Sequence, residues 1–164
     1  MEKTKISKYL EDKIIIIERV FNASRNNVWD AFTTDDELEK WWAPKPWKAF
    51  TKTFDFSEGG KWHYYMLGPN GEKNWSYVKY LTIDAKNNFT TENNFCDENG
   101  KRIDDLPSMH WLNEFIEDDK QMKIRVTISF STQEELNIII DMGFEQGFSM
   151  GLNNLEDLLK NSSN

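Results

Sequence analysis

Reactive side chains are scarce in this 164-residue chain: one cysteine, Cys96, and two histidines, His63 and His110. A lone cysteine excludes an intrachain disulfide and fits a reducing compartment. Two histidines, with no HExxH or CxxC spacing, exclude a histidine-rich metal cage, so neither a metal nor a cofactor is expected. A G-x-S-x-G nucleophile elbow and a phosphate-cradling glycine loop are missing too. No run approaches the roughly 18 apolar residues of a membrane span. The charged stretch from Met1 to Lys13 lacks the apolar segment of a signal peptide. Positive charge is also short, with 20 Lys+Arg against 28 Asp+Glu and a net charge of −8. That balance repels a nucleic-acid backbone unless a local basic patch overrides the mean. The expectation is a cytoplasmic protein with no nucleic-acid partner and no membrane span.

Aromatic rings, by contrast, make up 14% of the chain and offset a modest hydrophobic share of 38%. Each ring buries a large area, so a chain of this length has the material for one folded domain. Residues 1–12 read as a flexible leader and 13–162 as the domain. The β-branched run Ile14 to Phe21 reads as a strand. Ser24 offers an N-cap to a short helix over about 25–34, with Val28, Trp29 and Phe32 on one side. Asp35 or Asp36 is expected to cap a second short helix through Leu38 to Trp42, which Pro44 and Pro46 end.

Six antiparallel strands follow, over about 48–56, 60–68, 74–84, 88–97, 108–117 and 121–130, separated by glycine-, asparagine- and aspartate-rich turns. Met122, Ile124, Val126, Ile128 and Phe130 alternate with polar residues, so one sheet face is buried and the other wet. Thr132 to Glu135 form a capping box, and Gly143 interrupts the helix that begins there. A longer helix then carries Phe144, Gly147, Phe148, Gly151, Leu155, Leu158 and Leu159 along one stripe. Such a stripe has one large surface to bury against, the concave face of a twisted sheet. The expected architecture is therefore α+β, a helix-grip: a curved antiparallel sheet of about seven strands wrapped on a long C-terminal helix, with two short helices after the first strand.

Several segments resemble one family. They are Arg19 to Ser24, Val28 to Thr33, Leu38, Trp41-Trp42-Ala43-Pro44, Asp55 to Trp62, Met66 to Gly71, Phe95 to Gly100, Met142 to Phe148, and Asn154-Leu155. Their order and spacing over about residues 14–160 resemble homologues of the heat-shock-protein-90 ATPase activator, within the START-like (SRPBCC) helix-grip superfamily. The resemblance implies that fold and a ligand cavity, and no particular reaction. The eukaryotic namesake carries an added N-terminal chaperone-binding domain with no counterpart here, so a chaperone partner is not the expected one.

The residues themselves point to the same cavity. On the aromatic strand 60–68, Trp62, Tyr64 and Met66 share one face; Lys61, His63, Tyr65 and Leu67 share the other. The first set supplies a flat, polarizable wall and a phenolic hydroxyl. Across from it, Phe144 and Phe148 flank Gly147 and Gly151, where bare backbone means either close packing or room for a ligand. Trp41 and Trp42 lie about 100° apart on a helix, so one is core and the other borders a mouth near Pro44. The expected lining is Trp42, Trp62, Tyr64, Met66, Met122, Ile124, Val126, Phe144 and Phe148, around an apolar pocket of a few hundred Å³. The function read from this is non-enzymatic binding of a small apolar or amphipathic molecule. The alternatives are a cyclase- or dehydratase-like enzyme and a chaperone-related interaction module. The enzyme would take a cavity carboxylate (Asp55, Glu92 or Glu114) as base and Tyr64 as donor. Strand parity at those carboxylates is open, and the solvated face is the plainer reading. Cys96, beside Asp97 and Glu98, reads as packing rather than nucleophile.

Overall fold

A computed structural model describes residues 3–162. Eight strands form one antiparallel sheet in the order β1-β2-β8-β7-β6-β5-β4-β3. They are β1 (Lys5–Tyr9), β2 (Ile14–Phe21), β3 (Lys48–Phe54), β4 (Lys61–Leu67), β5 (Lys73–Asp84), β6 (Asn88–Phe95), β7 (Met109–Asp118) and β8 (Gln121–Ser129). Helices α1 (Arg25–Thr33) and α2 (Asp35–Trp41) follow β2; α3 (Gln133–Asp141) and α4 (Phe144–Ser162) close the chain.

Alternation drives the sheet. Along β8 the side chains of Met122, Ile124, Val126 and Ile128 are buried while Lys123, Arg125, Thr127 and Ser129 are half-exposed. Bulges between Thr51 and Thr53 in β3 and between Tyr80 and Thr82 in β5 bend the strands, and a bent sheet can close around a helix. Asp119 and Lys120 both take positive φ, 49° and 69°, which makes the β7–β8 connection a two-residue hairpin of the primed type. Ser24 caps α1 by accepting from Asn27 N, and Thr132 caps α3 by accepting from Glu135 N. Gly143, at φ +86°, turns the chain between α3 and α4.

The helix-grip expected from the sequence is present, with two differences. The sheet has eight strands rather than about seven, because Lys5–Tyr9 pair along β2 where a flexible leader was expected. Short, charged Lys-Ile-Ser-Lys-Tyr resembles a loop in composition; it is an edge strand, where charge is an asset because it discourages further pairing. The N-cap of α2 is Thr34, whose hydroxyl donates back to Asp30 O at 3.0 Å and makes no capping bond, rather than Asp35 or Asp36, which lie in the first turn and meet the helix dipole there.

The C-terminal half of α4 is clamped from several sides. Leu152, Leu155 and Leu159 are buried in the core. From β2, the buried Arg19 donates to Asn153 Oδ1 at 2.7 Å, to Thr4 Oγ1 at 2.9 Å and to Glu156 Oε1 at 3.3 Å. From the far side, Asn154 donates to the carbonyl oxygens of Ala43 (3.1 Å) and Trp41 (3.4 Å), which α2 leaves unpaired at its end. Lys3 also reaches Glu156, at 2.7 Å.

Candidate ligand pocket

The N-terminal half of α4 stands off from the sheet and leaves a cavity of about 250 Å³. One wall is helical: Phe144, Gly147 and Phe148 from α4, with Met142 and Gly143 at the break before it and Ile139 from α3. The opposite wall is the inner face of the sheet, through Tyr64 and Met66 of β4, Ser76 and Val78 of β5, Asn93 of β6, and Trp111 of β7. Trp42 and Pro44, just after α2, close one end. Behind Trp42, Trp111 and Asn93 lies a second void of about 20 Å³, bordered also by Trp62, Thr91 and Asn113.

Ring geometry holds these walls rigid. Phe144 and Phe148, four residues apart on one helix face, stack at 5.5 Å, and both meet the Trp111 ring edge-on, at 6.0 and 5.6 Å. Trp42 packs edge-on against Trp62 and Phe148, at 5.5 and 5.7 Å. Its indole nitrogen donates to Tyr64 Oη at 2.8 Å, and Trp62 stacks on Tyr64 at 3.9 Å. Burial pushes the Tyr64 phenol up to about 12, against the opposing pull of the Trp42 and Ser76 hydrogen bonds, so it remains a neutral hydroxyl.

Against this geometry stand the comparisons with known proteins. A family described as "Activator of Hsp90 ATPase homolog 1-like protein" matches residues 22–160. The chain belongs to that family. It is similar in structure to protein Ms6760 from Mycobacterium smegmatis, with 28% identity, a TM-score of 0.89, and coverage of 95% of this chain and 96% of that one. A protein from Arthrobacter aurescens gives 27% identity and a TM-score of 0.91 over 99% and 95% of the two chains. One from Staphylococcus epidermidis gives 29% and 0.84 over 96% and 94%. Among curated proteins, none matches by sequence.

This Hsp90-activator-homologue chain sorts its predicted lining residues three ways. Trp42, Tyr64, Met66, Phe144 and Phe148 border the main cavity. Trp62 borders only the small void behind it. Met122, Ile124 and Val126 border neither; they are 0–2% exposed in the packed core. Strand parity gave the correct face for all three, and says nothing about whether the space opposite is filled. Trp111, Asn93 and Ser76 were missed, because polar residues (Ser76, Asn93, Asn113) break the apolar alternation of β5, β6 and β7.

The carboxylates proposed for acid–base work lie elsewhere. Asp55 and Glu92 are exposed, and Glu114 lies at the outer face near Arg125, 3.8 Å away. Among the described residues, no carboxylate borders the cavity, so an enzyme using one of these three as a cavity base has no support in this geometry. Cys96 is buried, and desolvation together with the Asp97 charge pushes its thiol up to about 11, the opposite of nucleophile activation. Among the described residues, no group of three or more His, Cys, Asp or Glu side chains is placed to hold a metal ion. No helix among them is long and apolar enough to cross a membrane.

Proposed function

We propose that this protein binds one small, mostly apolar molecule non-covalently in the cavity between α4 and the sheet. Gly147 is the observation that carries the reading. It sits in the stripe between the stacked Phe144 and Phe148, where a Cβ would meet only Pro44 Cγ, at 3.8 Å. Close approach of backbones does not require a glycine there, and a longer side chain would extend into the cavity. Rigid rings on both walls favour an apolar occupant. An aromatic body buries roughly 150–250 Å². At about 25 cal/mol per Å² this gives ~4–6 kcal/mol before association entropy is subtracted, a scale that suits reversible binding.

The test is the Gly147→Leu variant titrated with the neutral fluorophore N-phenyl-1-naphthylamine. Wild-type protein is expected to enhance its emission saturably. The variant is expected to lose the enhancement while keeping its circular dichroism and melting temperature. Unchanged binding in the folded variant would move the site out of this cavity. A chaperone-related role exercised through the protein surface would survive the same substitution, so one variant separates the two readings.

A further inference from the structure

The cavity wall carries more hydrogen-bond donors than the protein itself satisfies. An indole N–H only donates, so the 2.8 Å bond from Trp42 makes the Tyr64 oxygen an acceptor and leaves the phenolic proton for another partner. Ser76 stands directly across from Tyr64 in the β4–β5 register, with its hydroxyl beside the same oxygen. Whichever of these two hydroxyls donates to the other, one O–H remains over. On β6, the Asn93 carbonyl takes the Thr91 hydroxyl at 2.6 Å, and its N–H2 meets no protein acceptor among the described residues. On β7, Trp111 Nε1 is buried and has no partner. Asn93 and Trp111 are 8% and 4% exposed, and both stand between the main cavity and the small void behind it.

Four adjacent strands, β4 to β7, thus each bring one polar residue to the inner face, and the surplus on those four is of donors; against it stands one unpaired acceptor at the cavity's border, Asn94 Oδ1 on β6. A buried donor left unmet costs more than a hydrogen bond gains, so an occupant that brings an acceptor is favoured over one that brings none. Charge is the second constraint. Among the described residues, no lysine, arginine, histidine, aspartate or glutamate borders the cavity. An ionised group taken in there would lose its water and find no counter-charge.

We infer that the occupant is an uncharged molecule with an apolar ring body and a carbonyl-type oxygen. That oxygen lies at the deep end of the cavity, against the N–H groups of Asn93 and Trp111 and the spare hydroxyl of the Tyr64–Ser76 pair. This rests on the binding-protein reading above and narrows it to a ligand class.

Three probes of one skeleton test it, each displacing N-phenyl-1-naphthylamine from the full chain: benzophenone, diphenylmethane and 4-benzoylbenzoate. They differ by a carbonyl in place of a methylene, and by an added carboxylate. Benzophenone is expected to bind about tenfold tighter than diphenylmethane, the worth of one well-made neutral hydrogen bond. The carboxylate is expected to bind at least about tenfold weaker than benzophenone. In Trp111→Phe, the benzophenone advantage should shrink several-fold while diphenylmethane affinity moves little. Asn93→Leu gives the same readout if the first variant does not fold. Equal binding of benzophenone and diphenylmethane overturns the inference, since the donors would then be served by water. Equal or tighter binding of the carboxylate overturns it as well. Binding of the fluorophore without displacement by any of the three overturns it and leaves the cavity reading standing. No binding of the fluorophore takes down both.

Discussion

Gly147 and Gly151 sit one turn apart on the same face of α4 and meet opposite surroundings. A Cβ on Gly151 would lie 3.1 Å from the carbonyl oxygen of Trp42 and 3.3 Å from that of Trp41. On Gly147 the nearest atom would be a proline carbon at 3.8 Å, with the cavity beyond it. One glycine lets the helix touch the end of α2; the other leaves space where the helix has drawn away. The pocket therefore owes its existence to a change along a single helix. The C-terminal half is pulled in by Asn154, by Arg19 and by three buried leucines. The N-terminal half is propped off the sheet by the ring stack of Phe144 and Phe148 on Trp111. Glycine in a helix is uniformly unfavourable in propensity. What it permits is set by what stands opposite.

The strongest way to break this contrast is Gly151→Leu. A leucine there must push the end of α2 away, straining the two Asn154 hydrogen bonds as well as the contact itself. The expected loss is about 3 kcal/mol, at the upper end of overpacking costs, and a fall in melting temperature of roughly 6–12 °C. Calorimetry beside Gly147→Leu checks it. Equal melting temperatures for the two leucine variants would mean that both halves of the helix are equally free of the sheet and α2.

Much of this was legible in the sequence, and the failures have a common cause. Period-2 alternation located β8 and the inner face of β4, and the capping threonine, Thr132, with Gly143 located the break before α4. These are local signals, set by the chain's own φ/ψ and side-chain direction. The two glycines showed as a stripe but not as different from one another, because the difference lies in Pro44 and in the carbonyls of Trp41 and Trp42, over a hundred residues away. Met122, Ile124 and Val126 went wrong for the same reason: a face is local, an empty space is not. Trp111 and Asn93 were hidden by buried asparagines, which sequence patterns count as solvent-facing. Those asparagines lie under the rings of the pocket, where local rules are expected to be broken.

A middle-sized effect belongs to the clamped half alone. Lys3 and Arg19 hold the Glu156 carboxyl at about 2, below its usual 4.5. A carboxylate held down in the folded state binds fewer protons than in the unfolded one. Its contribution is thus complete above about pH 4.5 and is lost as pH falls toward 2. Glu156→Gln is expected to cost about 1–3 kcal/mol at neutral pH, where it removes the carboxylate facing buried Arg19. It should also flatten the acid limb of a stability profile between pH 4.5 and 2. Glu18 and Asp97 are held low too, so the limb shrinks without vanishing. Fluorophore affinity at pH 7 should not move in this variant. A change in affinity would show that the clamp and the pocket act as one unit.

The smallest effect is the sharpest measure of the comparison: alanine at each glycine in turn. Replacing a mid-helix glycine by alanine gains up to about 1 kcal/mol from propensity alone, and this gain is common to both sites. At Gly147 the added methyl meets Pro44 at ordinary van der Waals distance, so the gain should survive intact. At Gly151 the methyl falls against two carbonyl oxygens of the backbone, at distances tighter than ordinary contact, and α2 must shift by a few tenths of an ångström to admit it. The expected outcome is stabilisation by about 0.5–1 kcal/mol at Gly147 and none, or a net loss, at Gly151. Because propensity cancels in the difference, denaturant titration of the two alanine variants reads the packing of the two half-helices directly. If both variants are stabilised alike, α2 does not constrain the helix at Gly151. The cavity would then have to be held open by the aromatic props at Phe144 and Phe148 alone.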